Sequence, residues 1–340
     1  MNNRIISISL TFLMLCTFLQ AQEITPERLG FRAYQLEDEE LGHINYYLTG
    51  TEGDSKKPLI VYLDGSGPYP LFQKVAQGIG STVVLDWQNL SKDYRIAVIS
   101  KPGVPFIDEV GSDPATGFPT YDEPEAYTET LSEAWRVASA DMVIDDIFKR
   151  VAVEEERVLL LGFSEGAQVA PHVAAANDKV THLMIFGGNG LNQLYDPIIT
   201  ARYKAERGQL THEQAQAEID SLFTVYDQIY RNPESTTDFW YGHTYKRWAS
   251  FAKNPPVESL KKLDIPVYIA YGSRDENPVV SADFIKLEFV RMGKQNLTYK
   301  VYPDFDHSFN HIQFEGAEFK GATPQLNKVM EEAFSWFGEN

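Results

Sequence analysis

Apolar residues in this chain gather into short runs that stop at glycine, proline or aspartate. Six stand out: LIVYLDGSG (Leu59 to Gly67), YRIAVISKPG (Tyr94 to Gly103), RVLLLGFSEG (Arg157 to Gly166), VTHLMIFGGNG (Val180 to Gly190), PVYIAYGSRDE (Pro266 to Glu276) and LTYKVYP (Leu297 to Pro303). They are near-continuous rather than alternating, the pattern of strands covered on both faces. Helical patterns lie between them, such as SADMVIDDIFKRV (Ser139 to Val151). TPQLNKVMEEAFSWFG predicts a last helix capped by Thr323 and opened by Pro324. This alternation predicts an α/β protein with a mostly parallel central sheet and helices on both faces. Ligands in such sheets sit at the carboxyl ends of the strands. There the runs finish in DGSGP, KPG, GFSEG and GSRDE.

One region breaks the rhythm. From Leu191 to Val257 no strand pattern occurs, and THEQAQAEIDSLFTVYDQIY opens with a capping box, Thr211 with Gln214. Ile219, Leu222, Phe223, Tyr226 and Tyr230 share one helical face. An insertion this long is too large for a plain connection. Residues 191–257 are therefore expected to form a helical cap over the active edge, between two parts of one core, 22–190 and 258–340.

The first residues read as an address. MNNR, the apolar IISISLTFLMLCTFL and the small-residue exit QAQ have the layout of a secretory signal peptide, residues 1–21, cleaved after Ala21. The apolar stretch falls short of the about 20 residues a membrane span needs. A lipoprotein route through Cys16 would want a small residue where Leu15 stands. The mature chain is thus expected to be exported, periplasmic or secreted, without stable membrane insertion. It would hold no cysteine, because Cys16 is the only one. Hydrophobic residues at 43% supply enough apolar surface for a core to hold it without cross-links. The 48 acidic residues against 30 basic ones give a net charge of -18, which argues against nucleic-acid partners.

GFSEG places Ser164 between Gly162 and Gly166, where a buried run turns into a helical one. A serine hydroxyl becomes a nucleophile when it is held out, aligned and deprotonated by a neighbouring base. A tight strand-to-helix turn holds it out, and flanking glycines let that turn pack. The chemistry then needs an acid after a later strand and a histidine beyond it. Asp275 in GSRDE and His307 in YPDFDHSFN follow in that order, with Glu276 or Asp264 as other acids and His311 as another histidine. His307 and His311 also spell H-x-x-x-H, but no glutamate sits inside it, so no metal is expected. Two backbone donors should face the oxyanion: the N–H of Glu165, and one from DGSGPYP, with Ser66 first and Gly67 second. An acid at position 165 also suits the positive end of a helix, whatever the reaction. Tyr69, Trp240, Tyr241 and Trp248 would suit an apolar substrate pocket.

These residues resemble the α/β-hydrolase superfamily. Within it they are most similar to bacterial serine esterases with Gly-Ser-Gly-Pro in the oxyanion loop and Gly-His-Ser-Glu-Gly-Gly at the nucleophile. Here GSGP spans Gly65 to Pro68, and SEG spans Ser164 to Gly166 with Ala170 and Pro171 downstream. The chain departs from that pattern at Asp64 (usually histidine), at Phe163 and Ala167, and at KPGVPF in place of an Arg-Gly-x-Gly type loop. The resemblance implies the α/β-hydrolase fold and a cofactor-free serine hydrolase acting on a small carboxylic ester. A serine aminopeptidase or dipeptidyl-peptidase-like enzyme shares the fold. It would need a carboxylate for the substrate's free amine, for which the cap offers Asp196, Glu206, Asp220 and Asp238. A catalytically inactive binding relative is a further alternative; it would typically lack one member of the triad.

Overall fold

The computed structural model describes residues 24–340 except 51–54, 77, 276–278 and 317. The expected leader, residues 1–21, lies outside the described residues. So does Glu276.

Eight strands form the central sheet: β1 (Phe31–Asp38), β2 (Gly42–Thr49), β3 (Lys57–Leu63), β4 (Arg95–Ile99), β5 (Val153–Phe163), β6 (His182–Phe186), β7 (Val267–Gly272) and β8 (Leu297–Tyr302). Their order is β1-β2-β4-β3-β5-β6-β7-β8. Only β2 runs against its neighbours; β3 to β8 are mutually parallel. The runs read as strands are fully buried at β4, β6 and β7. β1 and β2 carry no continuous apolar run, and β1 is largely solvent-facing.

Side chains leave β3 alternately. Leu59, Val61 and Leu63 join one core and Ile60 and Tyr62 the other, the two-residue period of a strand. Helices α1 (Glu133–Arg150) and α2 (Glu165–Ala176) cover the first face. The opposite face receives the last helix, α8 (Leu326–Glu339), through Val329, Met330, Ala333 and Phe337. Two helix starts differ from expectation. α1 begins six residues earlier than the apolar pattern, where Ser132 accepts from the N–H of Trp135. α8 begins after Gln325, because Thr323 and Pro324 belong to a strand, Glu318–Pro324, paired with Asn310–Glu315.

Residues 191–257 hold α3 (Asp196–Glu206), α4 (His212–Arg231), α5 (Tyr245–Phe251) and only the first two residues of α6 (Pro256–Leu260). The Thr211–Gln214 capping box opens α4. Leu194, Tyr226, Ile229, Trp248, Ala249 and Ala252 form a small separate core there. Helix α7 (Val279–Met292) follows β7. Among the described residues no helix is long and apolar enough to cross a membrane.

Candidate active site

Ser164 sits between β5 and α2 with φ 56° and ψ −116°, a region that side-chain-bearing residues rarely occupy. The surroundings enforce it. The Ser164 N–H donates to the Phe186 carbonyl at 2.9 Å, and its own carbonyl accepts from Ala167 at 3.0 Å. A Cβ on Gly162 would lie 2.2 Å from the Gly166 oxygen. Both glycines are therefore steric necessities of a turn that presents the hydroxyl at the strand end.

The two partners arrive from later loops. Asp275 follows β7, where Gly272 lets the Phe305 carbonyl pass; a Cβ on Gly272 would lie 2.2 Å from that oxygen. His307 follows β8 in a loop that Asp306 organises by accepting from the N–H groups of Ser308 and Asn310. Ser164 Oγ lies 3.0 Å from His307 Nε2, and His307 Nδ1 lies 2.7 Å from Asp275 Oδ2. Asp275 is buried. Burial pulls the imidazole pKa down, but the hydrogen bond and charge of Asp275, aided by Asp306, outweigh it and raise it above the ordinary value. Asp264, the other candidate acid, is exposed and pairs with Lys294. His311 lies on the Asn310–Glu315 strand, its ring against Phe305.

A serine, a histidine and an acid in sequence of contact are not enough. His172 Nδ1 lies 2.8 Å from Ser259 Oγ, and its Nε2 lies 3.1 Å from Glu133. Ser259 is buried within helix α6, with no exposed turn to present its oxygen.

The cavity at Ser164 measures about 740 Å³ and is also lined by Ser66, Gln168, Asn189, Asp196 and Arg274. Among the described residues, the N–H groups of Glu165 and Ser66 have no hydrogen-bond partner. Of the four acids proposed for an amine, only Asp196 is buried and lines this cavity; Glu206, Asp220 and Asp238 are exposed. Asn189 Nδ2 donates to Asp196 Oδ2 at 2.8 Å, leaving Oδ1 without a partner. Burial, against the Asn189 hydrogen bond but with the charge of Asp275, pushes the Asp196 carboxyl up to about 7. Asn189 stands in the GGNG that ends the β6 run; Asp196 was among the candidate acids, but its pairing with Asn189 was not legible in the sequence.

The four aromatic residues expected in the pocket do not line this cavity. Trp248 packs against Trp240 and donates to its carbonyl at 2.6 Å, inside the small core of 191–257. Tyr241 is 80% exposed. Tyr69 donates to the carbonyl of Pro119 at 3.0 Å, next to Phe118, which does line the cavity. The lining is consequently more polar than the aromatic pattern suggested.

Beneath Ser164 lies a buried group of five charges that local sequence patterns did not reveal. Arg136 bonds Asp64 Oδ1 at 2.8 Å and Glu165 Oε1 at 2.6 Å, and Arg247 bonds Glu165 Oε2 at 2.5 Å. Lys101 reaches Asp64 Oδ2 at 2.8 Å. Burial would raise the Glu165 carboxyl, but Arg247, Arg136 and Lys101 hold it at about 2. Burial with the nearby Arg247 keeps His243 down at about 4. Asp64 and Lys101, two departures from the esterase pattern, are thus partners.

No protein-family model and no curated protein matches the chain. Solved structures do. A puromycin-hydrolyzing peptidase of Mycobacterium tuberculosis is similar with a TM-score of 0.54 and 16% identity, over 91% of this chain and 39% of that one. An acylaminoacyl peptidase of Pyrococcus horikoshii gives 0.54 and 13%, over 91% and 41%. Dipeptidyl peptidase 4 of Porphyromonas gingivalis gives 0.54 and 12%, over 91% and 35%. The chain has the α/β-hydrolase fold, and it spans about two-fifths of the length of these structures.

Proposed function

We propose that the chain is an exported serine hydrolase that cleaves a carboxylic ester through a Ser164 acyl-enzyme. The observation that carries this reading is the continuous contact from Ser164 Oγ through His307 to the buried Asp275, at 3.0 and 2.7 Å. Ser164 Oγ attacks the ester carbonyl as its proton passes to His307 Nε2. The N–H groups of Glu165 and Ser66 receive the oxyanion, and Asp275 fixes the imidazole tautomer and balances its cation. The alkoxy bond then breaks, and His307 returns the proton to the leaving alcohol. Water repeats the sequence on the acyl-enzyme, releasing the acid and restoring Ser164.

One observation favours a second reading, an aminopeptidase-like enzyme. Asp196 offers an unpartnered carboxylate oxygen in the same cavity, suited to a substrate ammonium. The two readings separate on a series of short acyl esters and of aminoacyl and dipeptidyl anilides, with Ser164→Ala as control. Ester turnover without anilide turnover, lost in the variant, supports the first. Anilide cleavage that requires a free amine supports the second, and activity undiminished in Ser164→Ala overturns both.

A further inference from the structure

Lys101 opens the loop after β4, and its side chain is buried with no route to substrate. Besides Asp64, its ammonium donates to the carbonyl oxygens of Gly65 at 2.6 Å and Gly67 at 2.8 Å. These two carbonyls flank Ser66. Arg136 fixes the same loop from one residue earlier, donating to the Asp64 carbonyl at 3.1 Å.

The consequence follows from peptide geometry. The Gly65 carbonyl and the Ser66 N–H belong to one planar trans unit, since no cis peptide bond occurs among the described residues. In a trans peptide the C=O and the N–H point in opposite directions. An ammonium that holds the Gly65 oxygen on the buried side therefore turns the Ser66 N–H away from it. That outer side is where Ser66 lines the cavity with Ser164. Gly65 packs against the nucleophile: a Cβ built on it would lie 3.4 Å from the Ser164 Cβ. Asp64 and Arg136 keep the ammonium in place, since each of the two Asp64 oxygens is taken by one cation.

We infer that Lys101 is a positioning residue that aims the Ser66 N–H at the oxyanion. The inference rests on the hydrolase reading above and goes beyond it by assigning the function of a buried charge that never meets substrate. A group acting this way changes transition-state stabilisation, not substrate affinity.

The test compares Lys101→Met, which keeps length but not donors, with Lys101→Gln, whose amide can still donate to one carbonyl. Each is measured on an ester and on its thionoester, because a sulfur anion accepts hydrogen bonds weakly and draws little from the oxyanion donors. The expected result for Lys101→Met is a kcat on the ester lowered about 10- to 100-fold. Its KM stays within about twofold and its thionoester rate within about threefold, and Lys101→Gln recovers part of the loss. Equal losses on both substrates would overturn the inference, as would no loss on the ester while Ser164→Ala is inactive. In that last case the hydrolase reading survives alone. If Ser164→Ala keeps full activity, both fall. Loss of the folded circular dichroism spectrum in both Lys101 variants would assign Lys101 to the fold and also overturn the inference.

Discussion

Gly166 passes so close to Leu63 that a Cβ on it would stand 2.0 Å from the Leu63 carbonyl oxygen. The first turn of α2 is thereby seated directly on the end of β3, and Glu165 is brought over the buried cations. Gly166→Ala must push these backbones apart. It is expected to cost about 2–3 kcal/mol and to lower the thermal midpoint by roughly 3–5 °C. Differential scanning calorimetry against the native protein checks this.

The raised pKa of His307 predicts a pH profile. The imidazole accepts a proton from Ser164 only when neutral, so kcat/KM should rise with pH and level off above an inflection higher than the ordinary histidine value of about 6.5. Asp275→Asn removes the bond and charge that raise it, leaving the burial that lowers it. The inflection should then move down while activity falls by about 10⁴-fold. A pH–rate series on both proteins measures the two effects together.

Glu165 is paired with Arg136 and Arg247 in a site with almost no water contact. Glu165→Gln leaves the Arg247 guanidinium without a counter-charge, while Arg136 keeps Asp64, and a loss of about 3–5 kcal/mol is expected. Its carboxyl is held at about 2, below the ordinary value of 4.5. It therefore contributes stability above pH 4.5 that is lost as pH falls from 4.5 toward about 2. Urea unfolding at a series of pH values should show a shallower acid dependence for Glu165→Gln.

If Asp196 binds a substrate ammonium, Asp196→Asn should raise KM for aminoacyl anilides about 10- to 100-fold and leave amine-free esters within about twofold. The carboxyl ionises through about 7 in the free protein. Affinity for an ammonium should accordingly increase as pH rises through 7, until the amine itself deprotonates. Steady-state KM values between pH 5.5 and 8.5, for both substrate types, test the dependence.

The parts of the molecule that were legible share one physical property. The runs of strands β3 to β7 are sandwiched between helices or loops, so they are apolar without alternation and stand out, whereas β8 is a half-buried edge strand. β1 lies at the sheet edge with one face in water, and its FRAYQLED reads as ordinary polar chain. Ser164, Asp275 and His307, which the structure brings into contact, could be singled out because a serine-hydrolase reaction would call for these residue types after strands. The aromatic residues of 191–257 were misassigned to the pocket because a small helical core needs the same side chains as an apolar site. Asp64, Lys101, Arg136, Glu165 and Arg247 sit on separate elements, and each looks locally like a solvated charge. Only the fold supplies their partners.

That cluster also constrains how the chain can change. Removing Asp64 leaves Lys101 without its counter-charge in a dry interior, and removing Glu165 does the same to Arg247, whereas replacing several together by apolar side chains of similar volume does not. Positions 64 and 101, and positions 165 and 247, consequently behave as two linked pairs that Arg136 bridges. A lineage moving toward an uncharged floor beneath Ser164 would pass through a less stable intermediate whenever a carboxylate was lost before the cation that depends on it.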